Sequence, residues 1–342
     1  MISIKDIARQ SGTSVSTVSR VVNEKSHVHP KKRELILKII EETGYAPNKA
    51  ARSMVLQRSF TVGLMIPDIF NLFQQQLFSM IERHLESLGY HTLFFLIKDD
   101  EASEEECLSR LRKEKLDGVI LFGRIKKQEI YEFIEREKLP AIAATCCYNG
   151  IPSVMVNDKQ AAFEGVCHLV SLGHRRIALI DGPDFYFSSD RMDGYCQALA
   201  AAGVVGDEKR MIQVRHQTAD FGMEGMRELL NRGRDFSAVF AVTDEIAIGA
   251  VRVLRDAGLR VPEDISVMGF DDISMASYVV PRLTTIQQPI SEMGKQTAQL
   301  IHHYINGDST LISNVVLPHK LIIRESTAAV SDDTSAGDRQ DL

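Results

Sequence analysis

A succession of short apolar runs, each closed by turn residues, occupies most of this 342-residue chain: "FTVGLMIP", "HTLFFLI", "DGVILFG", "PAIAAT", "SVMVN", "RRIALIDG", "MIQV", "SAVFAVTD" and "ISVMGFDD". Helix-like segments separate most of them. Strands that are apolar along their whole length and alternate with helices predict parallel sheets covered on both faces. The pattern restarts near residue 160, where "NDKQAAFEGVCHLVSLGH" reads as a helix feeding a second set. The expectation is an α/β body, residues 61–330, of two doubly wound parallel-sheet lobes. Past Gln287 the chain returns through a helix at 291–306 and a final strand pair around "NVVLPHKLIIRES". Several crossovers follow, with lobe one over 61–158 and 290–318 and lobe two over 159–289 and 319–330.

The head of the chain differs in charge. Of the 40 Lys/Arg and 46 Asp/Glu, the first 60 residues hold 11 and 5, leaving 29 and 41 for the rest. A basic head on an acidic body has the field of a polyanion binder whose attraction is confined to the head. Apolar residues at i, i+3, i+4 spacing (Ile4, Ile7, Ala8; Val18, Val21, Val22) and a stripe of Leu35, Ile36, Ile39 and Ile40 predict three short helices around one small core. Gly12 and Thr13 divide the first two helices tightly enough for a helix-turn-helix, and Ser14 caps the second. Pro30 suits the start of the third helix and Gly44 its left-handed end.

With its valines inward, the second helix turns Val15, Ser16, Thr17, Ser19 and Arg20 outward. Val15 suits a thymine methyl, Ser16 several base edges, and Arg20 has the fork that matches guanine O6 and N7. Thr17, Ser19 and Asn23 read as phosphate ligands. Residues 46–60 have Asn48 as an N-cap and a segment near two turns long, too short to hold as a helix unaided. It reads either as a plain linker or as a hinge helix that forms against its own copy in a minor groove. In the second case Ala51 and Met54 make its apolar edge, Met54 wedges between base pairs, and Arg52 and Arg58 lie near phosphates.

Open α/β sheets take ligands at the carboxyl ends of their strands, and two facing lobes make that a cleft. Asp68, Phe70, Asn71 and Phe73 follow the first strand, while "GPDFYFSSDR", "TDE" and "GFDD" follow strands of lobe two. Arg191 stands near the start of a helix, where the dipole disfavours a cation, so it is expected to face a partner; Asp271 and Asp272 close the set. Aromatics with one Arg and one Asp suit a sugar or a nucleoside. Phe70 and Phe73 fit core packing equally well.

The head "IKDIARQSGTSVSTVSRVVNEKSHV" and "GYAPNKAARSM", with "LGHRRIALIDGP", "FAVTDEIAIGAV" and "ISVMGFDDI" in the body, resembles the lactose/galactose repressor family of bacterial transcription regulators over most of the chain. The resemblance implies a headpiece (1–45), a hinge helix (46–60) and a periplasmic-binding-protein-like body. It implies a homodimer on near-palindromic double-stranded operator DNA, probed also by His27, Tyr45 and Asn48, under control of a small-molecule effector, a sugar before a nucleoside. The implied effector ligands are Arg191 and Asp271, with Phe70, Phe73, Thr145, Phe221 and Thr243 lining the pocket. Here His29 stands at the family's usual N-cap serine and Met54 at its usual leucine wedge. Thr145 replaces a frequent acidic residue, Thr243 a frequent Asn or Ser, and "NLFQQQ" the usual "NPF" run.

Other classes lack their signatures. The chain has no G-x-G-x-x-G, P-loop or G-x-S-x-G, so an enzyme is not expected. Neither cofactor nor metal is expected: the five cysteines form no C-x-x-C, and His302 and His303 are neighbours that diverge on a helix. An exported sugar receptor shares the cleft but not the basic head, and a regulator answering to a protein co-effector is a further alternative. Without a long apolar run or a secretory pattern at "MISIKDIARQSG", the expected place is the cytoplasm, with no membrane contact. The polar tail 331–342 is expected to be disordered.

Overall fold

The computed structural model describes residues 2–22, 28–45, 58–66, 71–97, 101–123, 125, 127–148, 150–182, 188–307 and 314–330. The chain divides into two compact units, Met1–Ser59 and Phe60–Leu342. The first is built on α1 (Ile4–Gln10), α2 (Val15–Val22) and α3 (Pro30–Thr43). Their shared core is Ile7, Ala8, Val18, Val21, Ile36 and Ile39, with Ile4, Val22, Ile40 and Tyr45 packed at its edge. Leu35 departs from the expected stripe and is 45% exposed. One residue along a helix is a rotation of about 100°, so Leu35 and Ile36 cannot both face a core this narrow.

The caps explain where these helices begin and end. The Asp6 carboxylate accepts the Ser3 N–H at 3.0 Å and its hydroxyl at 2.7 Å, closing the first turn of α1. The turn to α2 uses Gly12 at φ 60°, and the Thr17 N–H donates to Ser14 Oγ at 3.2 Å. Gly44, at φ 61° and ψ 26°, ends α3 in the left-handed conformation that a residue without Cβ adopts readily.

The second unit holds two six-stranded sheets. Lobe one has β1 (Thr61–Ile66), β2 (His91–Leu96), β3 (Gly118–Phe122), β4 (Ala141–Ala144), β5 (Ser153–Val156) and, late in sequence, β11 (Val315–Leu317), ordered β11-β5-β4-β3-β1-β2. Lobe two has β6 (Ile177–Asp181), β7 (Met211–Gln213), β8 (Ala238–Ala241), β9 (Ser266–Asp271), β10 (Thr284–Gln287) and β12 (Lys320–Ile322), ordered β12-β10-β9-β8-β6-β7. Every pairing is parallel except that of β12 with β10. The expected final strand pair is therefore not a pair: β11 joins lobe one and β12 lobe two. The strand β10 was not among the expected runs.

Between the lobe-one strands lie α4 (Leu72–Ser87), α5 (Glu101–Lys113) and α6 (Gln128–Arg136), and α11 (Ile290–Ile305) packs back on α4. Lobe two carries α7 (Asp158–Ser171) against α8 (Ser188–Ala201) and α9 (Ala219–Arg232) against α10 (Asp244–Asp256). The last crossing is close enough that a Cβ on Gly249 would overlap the Ala219 carbonyl. The chain passes between lobes at Asn157, at Gln288–Pro289 and at Pro318–His319. In both sheets the order reverses about one strand, β1 in lobe one and β6 in lobe two, which creates a crevice at that strand's carboxyl end.

Candidate functional site

The expected functional residues fall into two groups, one on an exposed helix face and one buried in the body. On α2, Val18 and Val21 are buried while Val15, Ser16 and Arg20 are exposed and Thr17 and Ser19 half-buried. The hydroxyls at its start are ordered by one another: Ser14 Oγ lies 2.8 Å from Ser16 Oγ and 2.9 Å from Thr17 Oγ1. Donors held in this way lose less freedom on meeting a nucleic acid. Tyr45 is half-buried against the headpiece core, and that burial raises its phenol above the usual range. Asn23, His27, Asn48, Ala51 and Met54 lie outside the described residues, as does Phe70 of the expected cleft.

The second group centres on Arg191 in the first turn of α8, 2% exposed. Its Nε donates to Asp158 Oδ1 at 2.7 Å, its Nη1 lies 3.4 Å from Asp271 Oδ1, and its guanidinium lies 3.6 Å from the centroid of the Phe270 ring. These contacts offset the unfavourable end of the helix dipole. Gln288 Nε2 also donates to Asp271, at 2.8 Å. Burial pushes Asp271 up to about 7 against the opposing pull of Arg191, and burial likewise raises Asp158. Asp244 is raised well above the carboxylate range, by burial and by the nearby Asp271. It accepts the Thr285 hydroxyl at 2.6 Å and the Ile273 N–H at 2.9 Å.

The backbone at this site is strained. Asp271 and Asp272 have φ of 116° and 57°, values that side chains with a Cβ seldom take. Asp272 is held there by Arg324 Nη2 at 2.6 Å and Gln287 Nε2 at 2.7 Å. The strained turn thus sets the Asp271 carboxyl, an acceptor, beside the Arg191 guanidinium, a donor, in fixed positions.

The other expected residues take different places. Phe73 adopts the packing role: it is 2% exposed and belongs to the main core of the body with Leu77 and Phe78. Asn71 caps α4, accepting the Gln74 N–H at 3.0 Å, and Thr243 caps α10, accepting the Ile246 N–H at 3.3 Å. Thr145, buried at φ 70° just past β4, donates to the Ala144 carbonyl. Phe221 is half-buried, 4.8 Å from the His216 ring. Sequence reasoning missed Asp158 and Gln288 as partners of the central pair. Asp158 stands two residues past β5, where the strand-end rule applies; Gln288 follows the overlooked β10.

Residues 3–48 match the model for bacterial regulatory proteins of the lacI family, and residues 166–327 the model for a periplasmic binding protein-like domain. Catabolite control protein A of Priestia megaterium is 32% identical over 330 residues, covering 95% of this chain and 99% of that protein. The chain belongs to the LacI family. Among solved structures, the lac repressor dimer bound to operator and the anti-inducer ONPF is similar with a TM-score of 0.84 at 27% identity, covering 96% of this chain and 99% of that one. A complex of the transcriptional regulator CelR with cellobiose gives a TM-score of 0.72 at 30% identity, over 95% of this chain and 100% of that one. The lacI match falls within the first unit and the binding-protein match within the second, and these relatives are transcriptional regulators rather than enzymes. Among the described residues no helix is long and apolar enough to cross a membrane, and no group of His, Cys, Asp and Glu is arranged to hold a metal ion.

Proposed function

We propose that this protein is a cytoplasmic, homodimeric repressor that binds a near-palindromic operator through α2 and changes its operator affinity when a sugar enters the cleft of the body. Val15, Ser16 and Arg20 read base edges, and Thr17 and Ser19 fix register on phosphates. Arg191 and Asp271 hold ligand hydroxyls. The observation that carries this reading is the division of α2 into a buried valine face and an exposed Ser/Arg face. The operator complex of the lac repressor and the cellobiose complex of CelR support it. A shift in lobe closure, passed on through the segment before Phe60, is the expected link between the two sites, worth about 1–3 kcal/mol in systems of this kind.

Selection of duplexes from a random pool with the full chain tests this. A near-palindromic consensus is expected, with affinity for it altered by a neutral sugar such as cellobiose. Retention of every duplex equally would overturn the reading.

A further inference from the structure

Two glutamines in the body each bury a polar atom that has no hydrogen-bond partner among the described residues: Gln74 Oε1 and Gln217 Nε2. The residues are 2% and 7% exposed. An unsatisfied amide atom in the interior opposes folding, and a leucine or methionine of similar volume would not. Their retention therefore asks for a use, and their placement supplies one.

Gln74 sits in the first turn of α4, just past the carboxyl end of β1, the strand about which the lobe-one order reverses. That turn faces lobe two, because the Leu72 N–H donates at 2.8 Å to the Glu245 carboxylate in the first turn of α10. Gln217 comes from lobe two, between β7 and α9. Its amide covers Gly182, the residue after β6, so closely that a Cβ there would lie 2.6 Å from Gln217 Nε2. Since β6 is the reversal strand of its own sheet, the two incomplete amides stand at the two positions where such sheets receive ligands.

The chemistry they lack defines the ligand. Gln74 Oε1 needs a donor and Gln217 Nε2 an acceptor, and a hydroxyl offers both, whereas a phosphate dianion or a carboxylate offers acceptors alone. The charges agree. Among the described residues of lobe two, Arg191 is the single buried guanidinium, and Asp158 and Asp271 already pair with it, so the cation there is engaged before any anionic group could claim it. We infer that Gln74 and Gln217 read a neutral, hydroxyl-rich ligand from opposite lobes, and that the cleft rejects phosphorylated and acidic sugars. This rests on the effector reading above.

Calorimetric titration and thermal unfolding of the full chain test it, with glucose, ribose and cellobiose set against glucose 6-phosphate, ribose 5-phosphate and glucuronate. The wild type is expected to bind at least one neutral sugar, and that sugar more tightly than its charged counterpart. Gln74→Met and Gln217→Met should each weaken that binding about tenfold, the value of one lost hydrogen bond, while the ligand-free Tm stays equal or rises. Should a Met variant not fold, Gln74→Asn and Gln217→Asn, which keep the amide and shorten its reach, provide the same comparison. Undiminished affinity in both variants, a lower ligand-free Tm in both, or a wild type that prefers the charged member of a pair would overturn the inference and leave the effector reading standing. A wild type that binds none of the six overturns the sugar reading itself, and this inference with it.

Discussion

The headpiece keeps Arg20 in solvent, whereas the body keeps Arg191 at 2% exposure between Asp158 and Asp271. In the headpiece the core is six small or branched apolar side chains, too little to bury a charge, so polar groups ring the outside and await an external partner. In the body, parallel sheets covered by helices leave room for an interior ion cluster. The guanidinium there already has partners, and a ligand must join a network that exists without it. The same side chain is thus open to solvent in one unit and part of a closed ion network in the other.

Breaking the ion network should have the largest effect. Arg191→Ala leaves Asp158 and Asp271 buried without their cation and is expected to destabilise the body by about 3–5 kcal/mol, read from urea unfolding, with loss of the sugar response. A change below about 1 kcal/mol, as for an exposed ion pair, would erase the contrast between the two arginines. Arg20→Ala should leave stability within about 0.5 kcal/mol and lower operator affinity by about 1–3 kcal/mol, chiefly at one base pair. Gel-shift titration on single-base operator variants checks this, and equal loss on every duplex would move Arg20 from base to phosphate. Smallest is Ser14→Ala, which removes the cap of α2 and should lower headpiece stability by about 1 kcal/mol, measured by the thermal unfolding of α2 and α3 in circular dichroism. No loss would mean that the hydroxyls of Ser16 and Thr17 hold the turn without it.

The sequence conveyed local features well and long-range ones poorly. Apolar runs are strong signals because parallel strands are buried on both faces, and the caps at Ser14, Pro30 and Gly44 follow from single-residue geometry. The strand β10, "TTIQ", escaped notice because it is four residues long and polar at both ends. Its Thr285 is buried through a bond to Asp244, which no periodicity announces. Arg191 drew attention through its place on a helix, yet its partners lie 33 residues before and 80 residues after it, brought together only by packing. Phe73 was ambiguous for a related reason: an aromatic ring past a strand end looks the same in sequence whether it turns toward a cleft or beneath a helix. The polarity of "NLFQQQ" was visible as a departure, but that Gln74 is buried with an unmet oxygen required coordinates.

The three passages of the chain at Asn157, Gln288–Pro289 and Pro318–His319 have a bearing on how the molecule can be taken apart. Neither lobe is a continuous stretch of gene, so no single cut yields a half able to complete its own sheet. A truncation after Gln287 removes α11 and β11 from the first lobe and β12 from the second together. Chimaeras that exchange ligand preference between relatives must therefore transplant the body whole, and the natural seam for recombination is the boundary before Phe60.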